Sequence, residues 1–316
     1  KMNKKIEKIL YLPNPRGFCA GVERAINIVE LSLEKYGPPI YVRHEIVHNP
    51  WVVKDLESKG VIFVDELNDV PKDARVIFSA HGVASSVKDE ANDKKMPFID
   101  ATCPLVLKVH IEAKKHYESG AHIFLIGHKG HPEVDGTMGQ IPYDSITLIE
   151  NTNDIKKIKP EEFDKVALIT QTTLSVDDTA RLIKNLKEKF PKLIEPPKED
   201  ICYATTNRQA AVKSIAKKCD AIYVIGGENS SNSIRLVEVA SQSGCENTFL
   251  ISEIKSINWD QMKDFRSIGL TASASAPEIL INDFLDLFKS KFKATIKKNI
   301  IADENISFKI PKELRE

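Results

Sequence analysis

Three cysteines in this chain sit where a thiolate could do chemistry. Cys19 lies in Asn14-Pro15-Arg16-Gly17-Phe18-Cys19-Ala20-Gly21, Cys103 in Asp100-Ala101-Thr102-Cys103-Pro104, and Cys202 in Asp200-Ile201-Cys202-Tyr203. Each has small or polar neighbours, and each is followed by a run that can be helical. Their similar intervals suggest three βα units, each presenting one cysteine to a common centre. No Cys-x-x-Cys pair occurs, which argues against a zinc site of the common spacing. Spacing alone leaves packing and ligation at about even odds, because reduced thiols are often buried. The ligand reading is an iron–sulfur cluster held by three thiolates, with one iron open to an oxygen ligand from a substrate. Cys219, in a Lys-rich helical run, and Cys245, in the turn Ser243-Gly244-Cys245-Glu246-Asn247, are read as incidental or buried thiols.

A second set of groups follows the apolar runs. His44 to Asn49 comes after Ile40–Val42, Ser79-Ala80-His81-Gly82 after Val76–Phe78, and Gly127 to Val134 after Ile123–Ile126. Gln171 to Ser175 comes after Val166–Thr170, Gly226 to Ser233 after Ala221–Ile225, and Ala272 to Pro277 after Ile268–Thr271. A lone Ser-rich loop is more often a helix cap than a site. Six such loops, three bearing His, point to a shared anion site, since helix N-termini and exposed N–H groups attract anions. Glu133 is the one carboxylate embedded in a His- and Gly-rich loop, a setting that suits proton delivery. His110, His116 and His122, by contrast, read as a solvated helix face.

The elements that must position these groups are short apolar runs alternating with amphipathic, Lys/Glu-rich ones such as Val22–Lys35 and Asp177–Phe190. That alternation predicts α/β architecture with parallel sheets covered by helices, whose ligands bind at the carboxyl ends of strands. No Walker-type phosphate loop and no Gly-x-Gly-x-x-Gly after a strand is present, so nucleotide and dinucleotide sites have no support.

At 316 residues, two or three domains are expected. Lys plus Arg and Asp plus Glu each number 45, giving zero net charge and no general attraction to nucleic acid or anionic membrane. The apolar runs are too short to span a bilayer. The lysine-rich start lacks the apolar stretch of a secretory signal, so reduced thiols and a cytoplasmic setting are expected. Lys1, ahead of Met2, is left out of the fold reasoning.

Eight motifs then appear in order: Asn14 to Val22, Ser79 to Val83, Asp100 to Val106, Gly130 to Val134, Gln171 to Ser175, Ile201 to Gln209, Asn229 to Ser233 and Ala274 to Pro277. Together they closely resemble the 4-hydroxy-3-methylbut-2-enyl diphosphate reductases, the family that catalyses the last step of the non-mevalonate isoprenoid pathway. The resemblance runs from about Tyr11 to the Ile310–Leu314 ending, with no motif altered at a functional position.

The resemblance implies three α/β domains in a pseudo-threefold trefoil around one 4Fe-4S cluster. Their bounds are 10–100, 101–198 and 199–285, with the tail 286–316 packing back on the core. It implies Cys19, Cys103 and Cys202 as cluster ligands. His48, His81, His131, Ser230, Asn232 and Ser275 would bind the diphosphate, with Ser231 assisting. Thr172 would sit near the substrate hydroxyl and Glu133 in the proton path. The reaction implied is reductive dehydroxylation to isopentenyl and dimethylallyl diphosphate, with electrons from a ferredoxin or flavodoxin. A bacterial cytoplasm is the expected location, with the plastid stroma as the alternative. Two rival classes stand beside this reading: a cluster-bearing electron carrier or sensor without substrate, and a zinc-stabilised sugar- or phosphate-binding protein.

Overall fold

The computed structural model describes residues 5–315, so Lys1 and Met2 lie outside it. Its strands are short, as the apolar runs require. In chain order they are β1 (Glu7–Asn14), β2 (Ile40–Arg43), β3 (Val61–Val64), β4 (Val76–Phe78), β5 (Phe98–Asp100) and β6 (His122–Ile126). There follow β7 (Ile146–Ile149), β8 (Val166–Thr170), β9 (Ala221–Ile225), β10 (Asn247–Ile251), β11 (Ser267–Ala272) and β12 (Lys293–Ile300). They form three sheets, with orders β10-β9-β11-β1-β12, β3-β2-β4-β5 and β7-β6-β8. Every pairing within them is parallel. The fold class is therefore α/β with parallel sheets, as the alternation of runs predicts.

The chain divides into two compact units. The first comprises the residues up to Ala20, His48–Lys54 and Tyr203–Ile306; the second comprises Gly21–Val47, Asp55–Cys202 and the residues from Ser307 on. The first unit holds the five-stranded sheet. Its interior strand β9 reads Ala-Ile-Tyr-Val-Ile and is buried throughout, the pattern of a strand covered on both faces. Tyr223 and Ile225 face one core with Leu10, Leu12, Phe284 and Phe288. Ile222 and Val224 face the other with Val212, Ile215, Leu236 and Val239. Cys219 and Cys245 belong to that second core and are buried. Burial pushes the Cys219 thiol up to about 12, so at neutral pH it is an inert, protonated packing group.

The second unit holds the two smaller sheets. In one, Val76 and Phe78 of β4 pack with Leu67, Val70, Val83 and Ala91. In the other, β6 and β8 are sandwiched between a core built on Phe124, Leu168, Leu186 and Phe190 and a core built on Val109, Ile123, Leu125 and Ile169. His110, expected on a solvated face, is buried. The reason lies in its helix, Pro104–Glu118, whose buried side is Val106, Val109, His110 and Ala113. That i, i+3, i+4, i+7 spacing puts the imidazole on the inward stripe, and burial lowers its pKa to about 4. Among the described residues, no helix is long and apolar enough to cross a membrane.

Candidate active site

Parallel strands deliver their loops to one edge of a sheet, and in both units those loops hold the predicted residues. In the first unit, Gly17 takes φ +70°, a left-handed turn that a side chain would strain and where a Cβ would lie 3.2 Å from the Ala276 carbonyl. The Cys19 N–H donates to the Ala274 carbonyl at 3.3 Å, just beyond the end of β11. The following helix begins at Ala20.

Around β9 and β11 the small polar residues bond to one another. Ser230 caps the helix Ser231–Gln242, its hydroxyl accepting the Ser233 N–H at 3.3 Å. The Asn232 side-chain Oδ1 accepts the Ala274 N–H at 2.8 Å. Ser275 donates to the His48 carbonyl at 3.1 Å and lies 3.3 Å from Ser273. The His48 ring meets Asn229 at 3.3 Å. Gly227 passes so close to this segment that a Cβ would fall 2.6 Å from the His48 carbonyl, so only glycine fits. His48 and Ser275 are thus joined directly, while Asn232 holds the residue before Ser275 and Ser230 caps the helix that carries Asn232; Ser231 is buried at the first turn of that helix. That turn offers N–H groups to an anion.

In the second unit, the Cys103 N–H donates to the Ala80 carbonyl at 3.0 Å and the Cys202 N–H to the Thr172 carbonyl at 3.1 Å. Cys103 stands at the N-cap of the helix Pro104–Glu118. His81 follows Ala80; its Nδ1 is 3.2 Å from the Ser79 hydroxyl, and its ring meets the edge of the His131 ring at 5.7 Å. His131 Nδ1 accepts the Glu133 N–H at 3.2 Å. Nδ1 is therefore unprotonated, and in the neutral ring Nε2 carries the proton and acts as donor. Glu133 is 2% exposed. Its carboxyl oxygens accept the Thr172 N–H at 2.7 Å and the Thr172 hydroxyl at 2.9 Å. Burial pushes this carboxyl up to about 7, while the two Thr172 donors pull the other way. A continuous run of contacts therefore leads from Cys103 through Ala80–His81, His131, Glu133 and Thr172 to Cys202.

The three cysteines share one local setting. Each is part-exposed, and each N–H is tied to a carbonyl of a neighbouring strand-end loop that carries a candidate site residue. Among the described residues, no three His, Cys, Asp or Glu side chains converge as ligands of a single metal ion must. A cluster makes a different demand, because its thiolates bind different irons and need not meet at a point. Three part-exposed thiols, each at a loop–helix junction, are donors of the type such a group takes.

A family model described as LytB protein matches residues 10–289. The chain belongs to this family. Proteins named 4-hydroxy-3-methylbut-2-enyl diphosphate reductase resemble it over its length. The one from Paracoccus denitrificans (strain Pd 1222) is 53% identical, with 100% of both chains covered. The one from Ruegeria sp. (strain TM1040) is 52% identical, with 97% of each covered. A solved structure of the E-1-hydroxy-2-methyl-but-2-enyl-4-diphosphate reductase from Plasmodium falciparum superposes with a TM-score of 0.92 at 41% identity, covering 98% of this chain and 97% of that one. The resemblance read from the ordered motifs is upheld, and the LytB fold accounts for the parallel sheets.

Sequence reasoning passed over several residues that shape these loops. Asn229 contacts His48 although it sits inside a recognised motif. Asp200 is buried two positions before Cys202; it accepts the Thr170 N–H at 2.9 Å and the Lys108 ammonium at 3.0 Å. An aspartate shortly before a cysteine occurs twice, at Asp100 and Asp200, and that repetition was the available signal.

Proposed function

We propose that this protein is the reductase that removes the hydroxyl of 4-hydroxy-3-methylbut-2-enyl diphosphate to give isopentenyl and dimethylallyl diphosphate. Its membership of the LytB family, at about half identity to reductases of that name over the full chain, supports the reaction. The observation that carries the chemistry is Glu133, a buried carboxyl with a pKa near neutrality, hydrogen-bonded to Thr172. We assign a 4Fe-4S cluster to Cys19, Cys103 and Cys202, supported by the setting they share. When bound, the cluster would relay two electrons, one at a time, from the external donor and would supply a Lewis-acidic iron for loss of the hydroxyl.

The side chains have separable tasks. Hydroxide is a poor leaving group, so the departing oxygen needs a proton. With a pKa of about 7, Glu133 is part protonated at neutral pH and still able to release that proton. Thr172, its hydroxyl 2.9 Å from the carboxyl, can relay that proton, passing its own hydroxyl proton to the departing oxygen as it takes the one from Glu133. The diphosphate is taken by neutral donors: His81 and His131 in the second unit, and His48, Ser230, Asn232 and Ser275, with Ser231 assisting, in the first. Hydrogen bonds to an anion are among the stronger ones, and such donors are cheaper to desolvate than lysines.

The three α/β domains, 10–100, 101–198 and 199–285, remain our proposal for the organisation. The three separate sheets and the repeated cysteine setting support it. A ferredoxin or flavodoxin as electron donor and a cytoplasmic location complete the reading. The test is anaerobic: iron and acid-labile sulfide are measured, then turnover with reduced viologen and the hydroxylated diphosphate. Iron without turnover makes the protein a carrier; zinc alone removes the cluster.

A further inference from the structure

Arg208 is the largest fully buried side chain in the protein. It lies in the helix Tyr203–Ala216, within the motif Cys202 to Gln209, and none of the roles above uses it. Its guanidinium is spent on the loop before Cys19. Nε and Nη2 donate to the Gly17 carbonyl at 2.9 and 2.7 Å, and Nη2 also donates to the Phe18 carbonyl at 3.1 Å. Nη1 donates to the Ala204 carbonyl of its own helix at 3.0 Å. The charge is met by Glu304, whose carboxylate lies 3.0 Å from Nη1 and also accepts the Asn207 amide at 3.0 Å. From the first residue of the same helix, the Tyr203 hydroxyl accepts the Ala20 N–H at 3.2 Å. The Gly17 and Cys19 N–H groups are taken by Ala272 and Ala274. Both carbonyls before the thiol, its own N–H and the N–H after it are thereby fixed.

A buried arginine is a costly way to satisfy two carbonyls, and it needs a counter-ion. Only a planar fork can hold adjacent carbonyls and a carboxylate together; a lysine offers a single point of attachment. Groups behind a metal ligand set its orientation, and their loss typically weakens metal binding about 10–100-fold. We infer that Arg208, with Glu304 as its counter-ion, is the positioning residue for Cys19, holding Gly17–Ala20 in the shape that presents the thiol to iron. This rests on reading Cys19 as a cluster ligand.

The test uses the full-length, cluster-loaded protein and three variants: Arg208→Lys, Glu304→Ala and Cys19→Ser. Release of iron to a chelator, the midpoint potential and the EPR spectrum of the reduced cluster are measured alongside apo-protein melting. Arg208→Lys is expected to release iron about tenfold faster or more, with a displaced potential and an altered spectrum; Glu304→Ala should do the same to a smaller degree. A merely structural role would lower the melting temperature and leave potential and spectrum unchanged in the cluster-bearing fraction, which would overturn the inference. If Arg208→Lys does not fold, the Glu304→Ala potential and spectrum decide alone. Full, normally held iron in Cys19→Ser would overturn the ligand reading itself, whatever the other two variants do.

Discussion

The loops at β9 and β11 and those at β6 and β8 solve different problems with different residues. The first set is serine, asparagine and histidine, mutually bonded and built on a helix cap. Such groups bury at little cost once each is paired, and their protons do not need to leave. The second set carries Glu133, whose burial displaces its pKa to about 7. A buried carboxyl opposes folding whenever it must ionise, and the proposed proton path gives this one a use beside Thr172. On the proposed roles, the β9 and β11 loops anchor charge, while the β6 and β8 loops both anchor it, through His131, and move a proton through Glu133 and Thr172.

Glu133→Gln strikes that division hardest. It keeps size and part of the hydrogen bonding but removes the exchangeable proton. Turnover of cluster-loaded protein should fall by about 10²–10⁴, the usual contribution of an acid–base group, with iron content and substrate affinity retained. Near-normal turnover per cluster would take Glu133 out of the proton path and dissolve the contrast.

Asn232→Ala and His131→Ala probe the anchoring role proposed for one residue of each set. Each should weaken diphosphate binding by about tenfold or more, the consequence of losing roughly 1.5–3 kcal/mol at a charged acceptor. The comparison sharpens if Asn232→Ala changes KM alone, since that loop is assigned no proton. Calorimetric titration with the diphosphate checks the affinity directly.

Thr172→Val bears on the pKa. The Thr172 hydroxyl pulls the Glu133 pKa down, so removing it should carry the Glu133 titration above about 7. The acid–base limb of the pH–rate profile should move to higher pH, by about one unit for a bond worth ~1.5 kcal/mol. An unmoved limb would mean another group sets the profile.

An effect of a different kind is on stability. Folded Glu133 binds its proton more tightly than the ordinary value of 4.5. The native state therefore carries more protons between about pH 4.5 and 7, and stability falls as pH rises through that window. The shift corresponds to about 3 kcal/mol in this one group. In Glu133→Gln that contribution vanishes, so the variant's melting temperature relative to the parent should improve from pH 5 to pH 8. A constant difference would mean that Glu133 is not buried as a titrating acid.

Much of this was legible in the sequence because it is local. Ile123–Ile126, Val166–Thr170 and Ala221–Ile225 are continuous apolar runs, and each lies within or coincides with a strand. The polar loops after them are where the candidate residues sit. What escaped is what depends on distant packing. His110 is polar by type yet occupies an inward helical position, and only the i, i+3, i+4, i+7 count reveals it. The near-neutral acidity of Glu133 comes from burial, which no local pattern reports. Arg208 is a cation by type and nothing local marks it as buried; its partners Gly17 and Glu304 lie far away along the chain.

Sheet order was equally hidden, and it bears on the timing of biogenesis. β1, made first, lies between β11 and β12, made near the end. The loop holding Cys19 finds its Ala272 and Ala274 partners only after those residues leave the ribosome. Cys103 and Cys202 meet theirs, Ala80 and Thr172, much earlier in synthesis. A nascent chain therefore holds two cysteines in finished surroundings while the third still waits, and parallel pairing over so long a separation forms slowly. On the proposed ligand set, the third cysteine comes into place only after β11 is made.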